Sequence, residues 1–486
     1  MITTSSVEAR LRARGISFAW SGSPPAGFAA LRVDSRRVGP GDLFCAIEGT
    51  LVDGHAFVEA AAAAGAAAAV VEREIKAEIP LLRVPDSRVA TAHLAALAAG
   101  DPATTLRLAG VTGTNGKTTT TLLVWHLLGQ SGASAALGTL GLWLPDGSRS
   151  PRGRMTTPGP IQLNADLAEV RAAGAEWLAM EVSSHALDQR RVEGLEFAAA
   201  VFTNLSREHL DYHPDMATYL AAKLRLIGQL AEDGVAVVNA DDPAWDVDEF
   251  DAVRRVRFGL REPAELRAVD VSHSAGGSRW TLVTPDGEAD IHLPLIGDFN
   301  VSNALGAAAA AHALGVSLDV LADRLSTAPQ VPGRMETLAG PPGPLVVRDY
   351  AHTPDGLMRA LAALRRLADG RLTVVFGCGG DRDRGKRPLM GEAAVTGADR
   401  VIVTTDNPRT EAVEQIAGDI LSTLPAGAAE VIDDRAEAIE VALAAAGAGD
   451  VVLLAGKGHE TYQDIRGEKL PFDEAAIVRS RTERAE

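Results

Sequence analysis

Chemistry concentrates in the run from Gly110 to Thr121, which reads GVTGTNGKTTTT after the apolar residues Leu106 to Ala109. A strand feeding a glycine-rich turn and then a helix start aims several backbone N–H groups at one point, as a nucleoside triphosphate requires. Lys117 would meet the β- and γ-phosphates and the Thr118 hydroxyl a Mg²⁺ ion. The strict pattern G-x-x-x-x-G-K-[ST] would need glycine where Val111 stands, so Gly113 and Gly116 supply the turn. A turn that binds nothing would need neither the cation nor the hydroxyl. By itself the loop predicts an NTPase or a kinase-like phosphate site.

A second group lies at the next strand ends. The strand read from Trp177 to Val182 delivers Glu181, a carboxylate at the C-terminal edge of a parallel sheet and a candidate metal ligand. The strand Ala198 to Phe202 ends in Thr203-Asn204 and leads to Glu208-His209-Leu210-Asp211-Tyr212-His213. Each residue alone reads as a hydrogen-bonded loop group, and His209 is an unusual partner for Mg²⁺, which prefers oxygen. Two successive strand ends make coincidence harder. Lys223, in Tyr219-Leu220-Ala221-Ala222-Lys223, reads from its neighbours as a snorkelling, solvated lysine. Asp406-Asn407-Pro408-Arg409, as a bare tetrapeptide, reads as a turn capping the helix after Thr410. Gly377-Cys378-Gly379-Gly380 follows a strand, but a dinucleotide fingerprint would need glycine at Arg382, which rejects a dehydrogenase. Cys378 reads as small and buried.

The elements that must position these groups follow an α/β pattern. Residues 1–104 read as a small α/β domain with strands near Ala30–Val33, Asp42–Ile47 and Ala67–Val71, and with polar loops at Val33–Arg36 and Gly41–Gly54. The alanine run from Ala60 to Ala69 is expected to be a packed helix. Residues 105–334 alternate strands and helices, the mark of a mostly parallel sheet, and end with a hairpin signal at Pro285-Asp286-Gly287. Residues 335–486 form a second, Rossmann-like α/β unit with strands at Leu345–Arg348, Leu372–Phe376, Arg400–Thr404 and Val451–Leu454. The 486 residues, 46% of them hydrophobic, give a prior of three domains. A formal charge of −17 excludes a phosphate-backbone binder, so no nucleic-acid partner is expected. Two cysteines and no leader-like or membrane-spanning segment point to a reduced, cytoplasmic protein.

Along essentially its whole length the chain resembles the Mur ligase family. The resemblance rests on GTNGKTT (113–119), MEVSSHALDQRR (180–191), HLDYH (209–213), AAK (221–223), GDFNVSNAL (297–305), PGRME (332–336), DYAHTPD (349–355), GCGGDRDRGKRPLM (377–390), DNPR (406–409) and GKGHE (456–460). It implies a uridine-nucleotide domain, a central ATPase and a C-terminal amino-acid domain. It places ATP on Gly113, Thr114, Asn115, Gly116, Lys117, Thr118, Thr119, Asn303, Arg334 and Asp349. Two Mg²⁺ sites are implied on Thr118, Glu181, His209 and a carbamylated Lys223, the carbamate formed with CO₂ turning a cation into an oxygen ligand. The nucleotide-sugar dipeptide UDP-MurNAc-L-Ala-D-Glu would lie on Val33, Ser35, Thr156, Thr157, Ser183, Gln189 and Arg191. Meso-diaminopimelate would lie on Arg382, Asp406, Asn407, Pro408, Arg409, Gly456 and Glu460, with the Arg409 fork on the extra carboxylate that distinguishes it from lysine. The implied reaction is ATP-dependent amide formation through an acyl phosphate in peptidoglycan synthesis, by a monomer whose C-terminal domain closes on its substrates. Lysine-adding and folylpolyglutamate-forming ligases are the near rivals, and a non-catalytic nucleotide sensor is the distant one.

Overall fold

The computed structural model describes residues 2–49, 52–150, 155–261 and 263–483. It divides into two compact units, one of Met1–Leu266 with Gly306–Ser317 and one of Arg267–Leu305 with Leu318–Glu486.

In the first unit a five-stranded sheet runs in the order Ala19–Ser21, Leu81–Arg83, Ala68–Val71, Leu43–Cys45, Leu31–Arg32, parallel except at its first strand. Val7 and Leu11 of the helix Thr4–Ala13 and Ala90 and Leu94 of the helix Ser87–Ala98 pack on one core; Val58 and Ala61 join another with Phe44. The alanine run is not one helix. It ends as a helix at Ala63, turns at Gly65 (φ +101°) and becomes the fully buried strand Ala68–Val71. Burial between neighbouring strands outweighs alanine's helix preference, which is worth under about 1 kcal/mol per residue. The strand expected at Asp42–Ile47 is present as Leu43–Cys45 within the stretch Gly41–Gly54, whose residues Thr50 and Leu51 lie outside the described set.

The larger sheet of this unit holds the phosphate loop. Ser134–Gly138, Trp177–Glu181, Arg107–Thr112, Phe197–Phe202, Leu230–Asn239 and Arg254–Gly259 are parallel neighbours in that order. Gly141–Trp143 and Arg149–Ser150 continue it antiparallel beyond Ser134–Gly138. Glu181 pairs with Val111 and Phe202 with Thr112, so the loop-bearing strand and both its neighbours finish at one edge. These central strands are buried on both faces, as their continuous apolar sequence requires.

In the second unit the hairpin signal is realised by Gly277–Thr284 and Gly287–Leu293, with Thr284 opposite Gly287. A six-stranded sheet runs Glu336–Ala339, Leu345–Asp349, Val451–Ala455, Leu372–Phe376, Arg400–Val403, Glu430–Val431, parallel after its first strand. A further hairpin, Tyr462–Ile465 with Glu468–Pro471, turns through Arg466 (φ +55°) and Gly467 (φ +84°).

Candidate active site

Strand Arg107–Thr112 ends at Gly113 (φ +147°), where a Cβ would lie 1.9 Å from Thr203 Oγ1, so only glycine lets the loop close on its neighbour. Gly116, also left-handed, starts the helix Lys117–Leu128. The next strand's end holds the loop. Asn115 N–H donates to Asn204 Oδ1 at 2.9 Å, Thr203 Oγ1 donates to Asn115 O at 2.7 Å, and Thr114 N–H donates to Asn204 O at 2.7 Å. The TN pair after the strand was the available signal for this support.

Two lysine side chains converge on one carbonyl. Lys117 Nζ donates to Gly113 O at 2.9 Å and to Thr114 O at 2.7 Å, while Lys223 Nζ donates to the same Gly113 O at 2.7 Å. Lys223 is 1% exposed, which overturns the snorkelling expectation: the short helix Met216–Leu224 turns Tyr219, Ala222 and its lysine inward beneath the loop. Burial, and then the Lys117 charge, push the Lys223 amine well below its ordinary value against a weaker pull from Glu208. His209 (φ +57°) stands 6.2 Å from the Tyr219 ring, over which Lys223 Nζ sits at 4.5 Å. Burial lowers the His209 imidazole, with Lys117 and Lys223 adding to the effect against an opposing pull from Glu208. Thr118 and Glu181 line one pocket with Gly138. The buried Glu181 carboxylate accepts from Thr139 N–H at 2.8 Å and Thr139 Oγ1 at 3.2 Å. Thr139 carried no motif. Among the described residues no group of three or more His, Cys, Asp or Glu side chains is spaced to hold a metal, so Glu181 and His209 need other donors to complete a site.

Beside Glu181 five of the residues expected for the sugar dipeptide, Thr156, Thr157, Ser183, Gln189 and Arg191, form one network. Thr157 Oγ1 donates to Glu181 O at 2.8 Å and accepts from Ser183 N–H at 3.0 Å; Arg191 Nη1 donates to Thr157 O at 2.8 Å. Arg191 also holds Gln189 Oε1 at 2.8 Å, and Gln189 Nε2 donates to Tyr212 Oη at 3.2 Å. Thr156 Oγ1 lies 3.2 Å from Thr139 Oγ1. Val33 is exposed and Ser35 opens the short helix Ser35–Arg37, capped by Asp34.

In the second unit, Asn303 Nδ2 donates to Asn300 Oδ1 at 3.2 Å. Asp349 accepts from Met335 N–H at 2.7 Å and Ala351 N–H at 2.8 Å, with Arg334 stacked 4.7 Å over Tyr350. Burial raises the Asp349 carboxyl although Arg334 pulls it down. The cluster expected for the amino acid is tighter. Asn407 Nδ2 donates to Glu460 Oε2 at 2.7 Å, and a Cβ on Gly456 (φ +107°) would stand 2.7 Å from Asp406 Oδ2. Arg409 Nη1 donates to Gly380 O, its Nε lies 4.0 Å from Asp464 Oδ2, and Arg382 and Arg409 both flank Gly379. The carbonyl of Pro408 accepts from Glu411 N–H at 3.0 Å. DNPR caps no helix directly, since the next one, Val413–Leu421, starts after Ala412. The hairpin Tyr462–Pro471 clamps it, Arg409 N–H donating to Asp464 O at 2.9 Å and Arg466 N–H to Arg409 O at 2.7 Å. An Arg-Gly turn between short alternating segments was the overlooked sign of that hairpin. Cys378 is buried, which pushes its thiol up to about 11.

Three family models match the chain in succession: the Mur ligase family catalytic domain over residues 28–102, the Mur ligase middle domain over 111–311, and the Mur ligase glutamate ligase domain over 333–458. The UDP-N-acetylmuramoyl-L-alanyl-D-glutamate–2,6-diaminopimelate ligase of Gloeobacter violaceus is 47% identical, with 94% of each chain covered. That of Geobacillus kaustophilus is 45% identical over 93% of this chain and 94% of its own. A solved structure of a ligase of the same name superposes with a TM-score of 0.68 at 38% identity, covering 94% of this chain and 95% of that one. With its phosphate loop, strand-end carboxylate and three matched domains, the chain belongs to the Mur ligase family.

Proposed function

We propose that the protein joins meso-diaminopimelate to UDP-MurNAc-L-Ala-D-Glu with cleavage of ATP to ADP and phosphate, a step of peptidoglycan synthesis. The observation that carries the amine's identity is the Asp406–Asn407–Arg409–Glu460 group, two carboxylates and a guanidinium set for an end bearing both an ammonium and a carboxylate. Residues 1–104 take the uridine nucleotide, 105–334 the ATP chemistry and 335–486 the amino acid. Thr156, Thr157, Ser183, Gln189 and Arg191 hold the dipeptide beside Glu181, with Val33 and Ser35 on the nucleotide. Asn303, Asp349 and Arg334 take the adenine, ribose and γ-phosphate.

The γ-carboxylate of the D-glutamyl group attacks the γ-phosphorus, ADP leaves, and an acyl phosphate forms. The amine then attacks the acyl carbon, and phosphate departs with the C–O electron pair. Lys117 and the loop N–H groups neutralise charge that builds between two anions. Thr118 and Glu181 fit Mg²⁺, being oxygen donors on one pocket, whereas His209 would add a nitrogen donor, which the ion takes less readily than oxygen. When bound, the ion supplies further charge neutralisation on the phosphates. Lys223 fits carbamylation, because burial and the Lys117 charge favour its unprotonated amine, the form that is nucleophilic toward CO₂, and the resulting anion would turn that repulsion into attraction. The protein works as a monomer in the cytoplasm; among the described residues no helix is long and apolar enough to cross a membrane. Phosphate release dependent on all three substrates tests this reading, and ATP binding without it would favour a nucleotide sensor.

A further inference from the structure

Lys457 is a fully buried cation that the reaction leaves without a role. Its side chain is 0% exposed, and its Nζ lies 3.2 Å from Asn407 Oδ1, 3.5 Å from Asp406 Oδ1 and 3.5 Å from Glu460 Oε2. The ammonium therefore touches three of the side chains assigned to the amino acid. It also sets the orientation of one of them. Asn407 Oδ1 accepts from Lys457 and from Asp464 N–H at 2.9 Å, which turns Nδ2 toward Glu460 Oε2. Lysine is almost never buried unless paired, and a buried cation between carboxylates reads either as core stabilisation or as part of a charge pattern.

The charges around it decide between these. Lys457 stands between Asp406 and Glu460, 3.5 Å from each, while Arg409, 4.0 Å from Asp464, lies beside Gly379, so the two carboxylates assigned to the far ammonium already face an internal cation. The far end of meso-diaminopimelate carries one ammonium and one carboxylate and is neutral overall, whereas the far end of lysine is a bare cation. Two carboxylates with no internal cation would attract the bare cation more strongly than the zwitterion. We infer that Lys457 is a positioning residue for amine selectivity: it fixes the Asp406–Asn407–Glu460 group and offsets its charge so that a zwitterionic end is preferred over a cationic one. This rests on the ligase reading above.

The test compares Lys457→Met and Lys457→Gln, both close to lysine in length and uncharged, with the unaltered enzyme. Phosphate release is measured with UDP-MurNAc-L-Ala-D-Glu, ATP and either meso-diaminopimelate or L-lysine. Both variants are expected to raise the KM for meso-diaminopimelate and to lower the ratio of kcat/KM for meso-diaminopimelate over L-lysine about tenfold or more, with the KM for ATP within about twofold of the unaltered value. An unchanged ratio in a folded variant, or equal losses with both amines, overturns the inference. Loss of the cooperative thermal transition in both variants also overturns it, by assigning Lys457 to the core. Absence of amine-dependent phosphate release in the unaltered enzyme would instead overturn the ligase reading.

Discussion

Replacing Arg409 by alanine isolates the contact on which the amine assignment turns. The guanidinium is 24% exposed and is anchored by the Gly380 carbonyl, with Asp464 4.0 Å from its Nε. A fork held in this way has lost much of its rotamer freedom before a ligand arrives, so a carboxylate would gain two charge-assisted hydrogen bonds at little entropic cost. At roughly 1.5 kcal/mol each these give about 3 kcal/mol, or a factor of about 100. The backbone adds nothing to that figure. Arg409 sits at φ +51°, but alanine and arginine both carry a Cβ and share whatever strain this brings, and the main-chain bonds to Asp464 and Arg466 do not depend on the side chain. Arg409→Ala should therefore lower kcat/KM for meso-diaminopimelate about 100-fold, while the low rate with L-lysine stays within about threefold. The assay is phosphate release with each amine. An unchanged rate with meso-diaminopimelate, or equal losses with both amines, would refute the reasoning.

Other perturbations reach the remaining parts of the site. Gly138→Ala would place a Cβ 2.2 Å from Glu181 Oε1 and displace that carboxylate, so the Mg²⁺ concentration for half-maximal turnover should rise about 10- to 100-fold, read by magnesium titration; an unchanged requirement would remove Glu181 from the metal site. Lys223→Met should cut turnover roughly 100-fold or more and abolish incorporation of isotopically labelled bicarbonate, observed by NMR on the unaltered protein; a carbamate signal that persists would place the modification elsewhere. Burial between Arg10, Arg14 and Gly194 pushes His93 down to about 4, below its ordinary value. The fold therefore favours the neutral ring, and this stability, present above pH 6.5, is lost as pH falls toward 4. Relative to His93→Gln, the protein should lose about 1–2 kcal/mol between pH 7 and pH 5 in denaturant unfolding, and parallel pH profiles would contradict this.

The sequence was most readable where local rules coincide with the fold. Continuous apolar runs such as Trp177–Glu181 and Phe197–Phe202 can be stable only between layers of helices, and the glycine-rich turn after Arg107–Thr112 has few alternatives. Reading failed where tertiary burial reversed a local preference. Ala60–Ala69 splits between helix and strand, and Lys223, polar by composition, is carried inward by the helix that also buries Tyr219 and Ala222. Supporting groups such as Thr139, Asp464 and Lys457 act through partners 42, 55 and 51 positions away or through backbone atoms, distances that no spacing rule spans. Lys457 lies inside the quoted motif GKGHE, yet its burial, not its neighbours in sequence, marks it.

One chain couples ATP cleavage to amide formation with a chosen amine. The most direct measurement is phosphate release and product mass with ATP, Mg²⁺ and UDP-MurNAc-L-Ala-D-Glu, in the presence of meso-diaminopimelate, of L-lysine, or of no amine. Sustained release and a tripeptide product with meso-diaminopimelate, and rates lower by about 100-fold with L-lysine, are predicted from the carboxylate contact at Arg409. Release that is the same with either amine, or that needs neither, would contradict it.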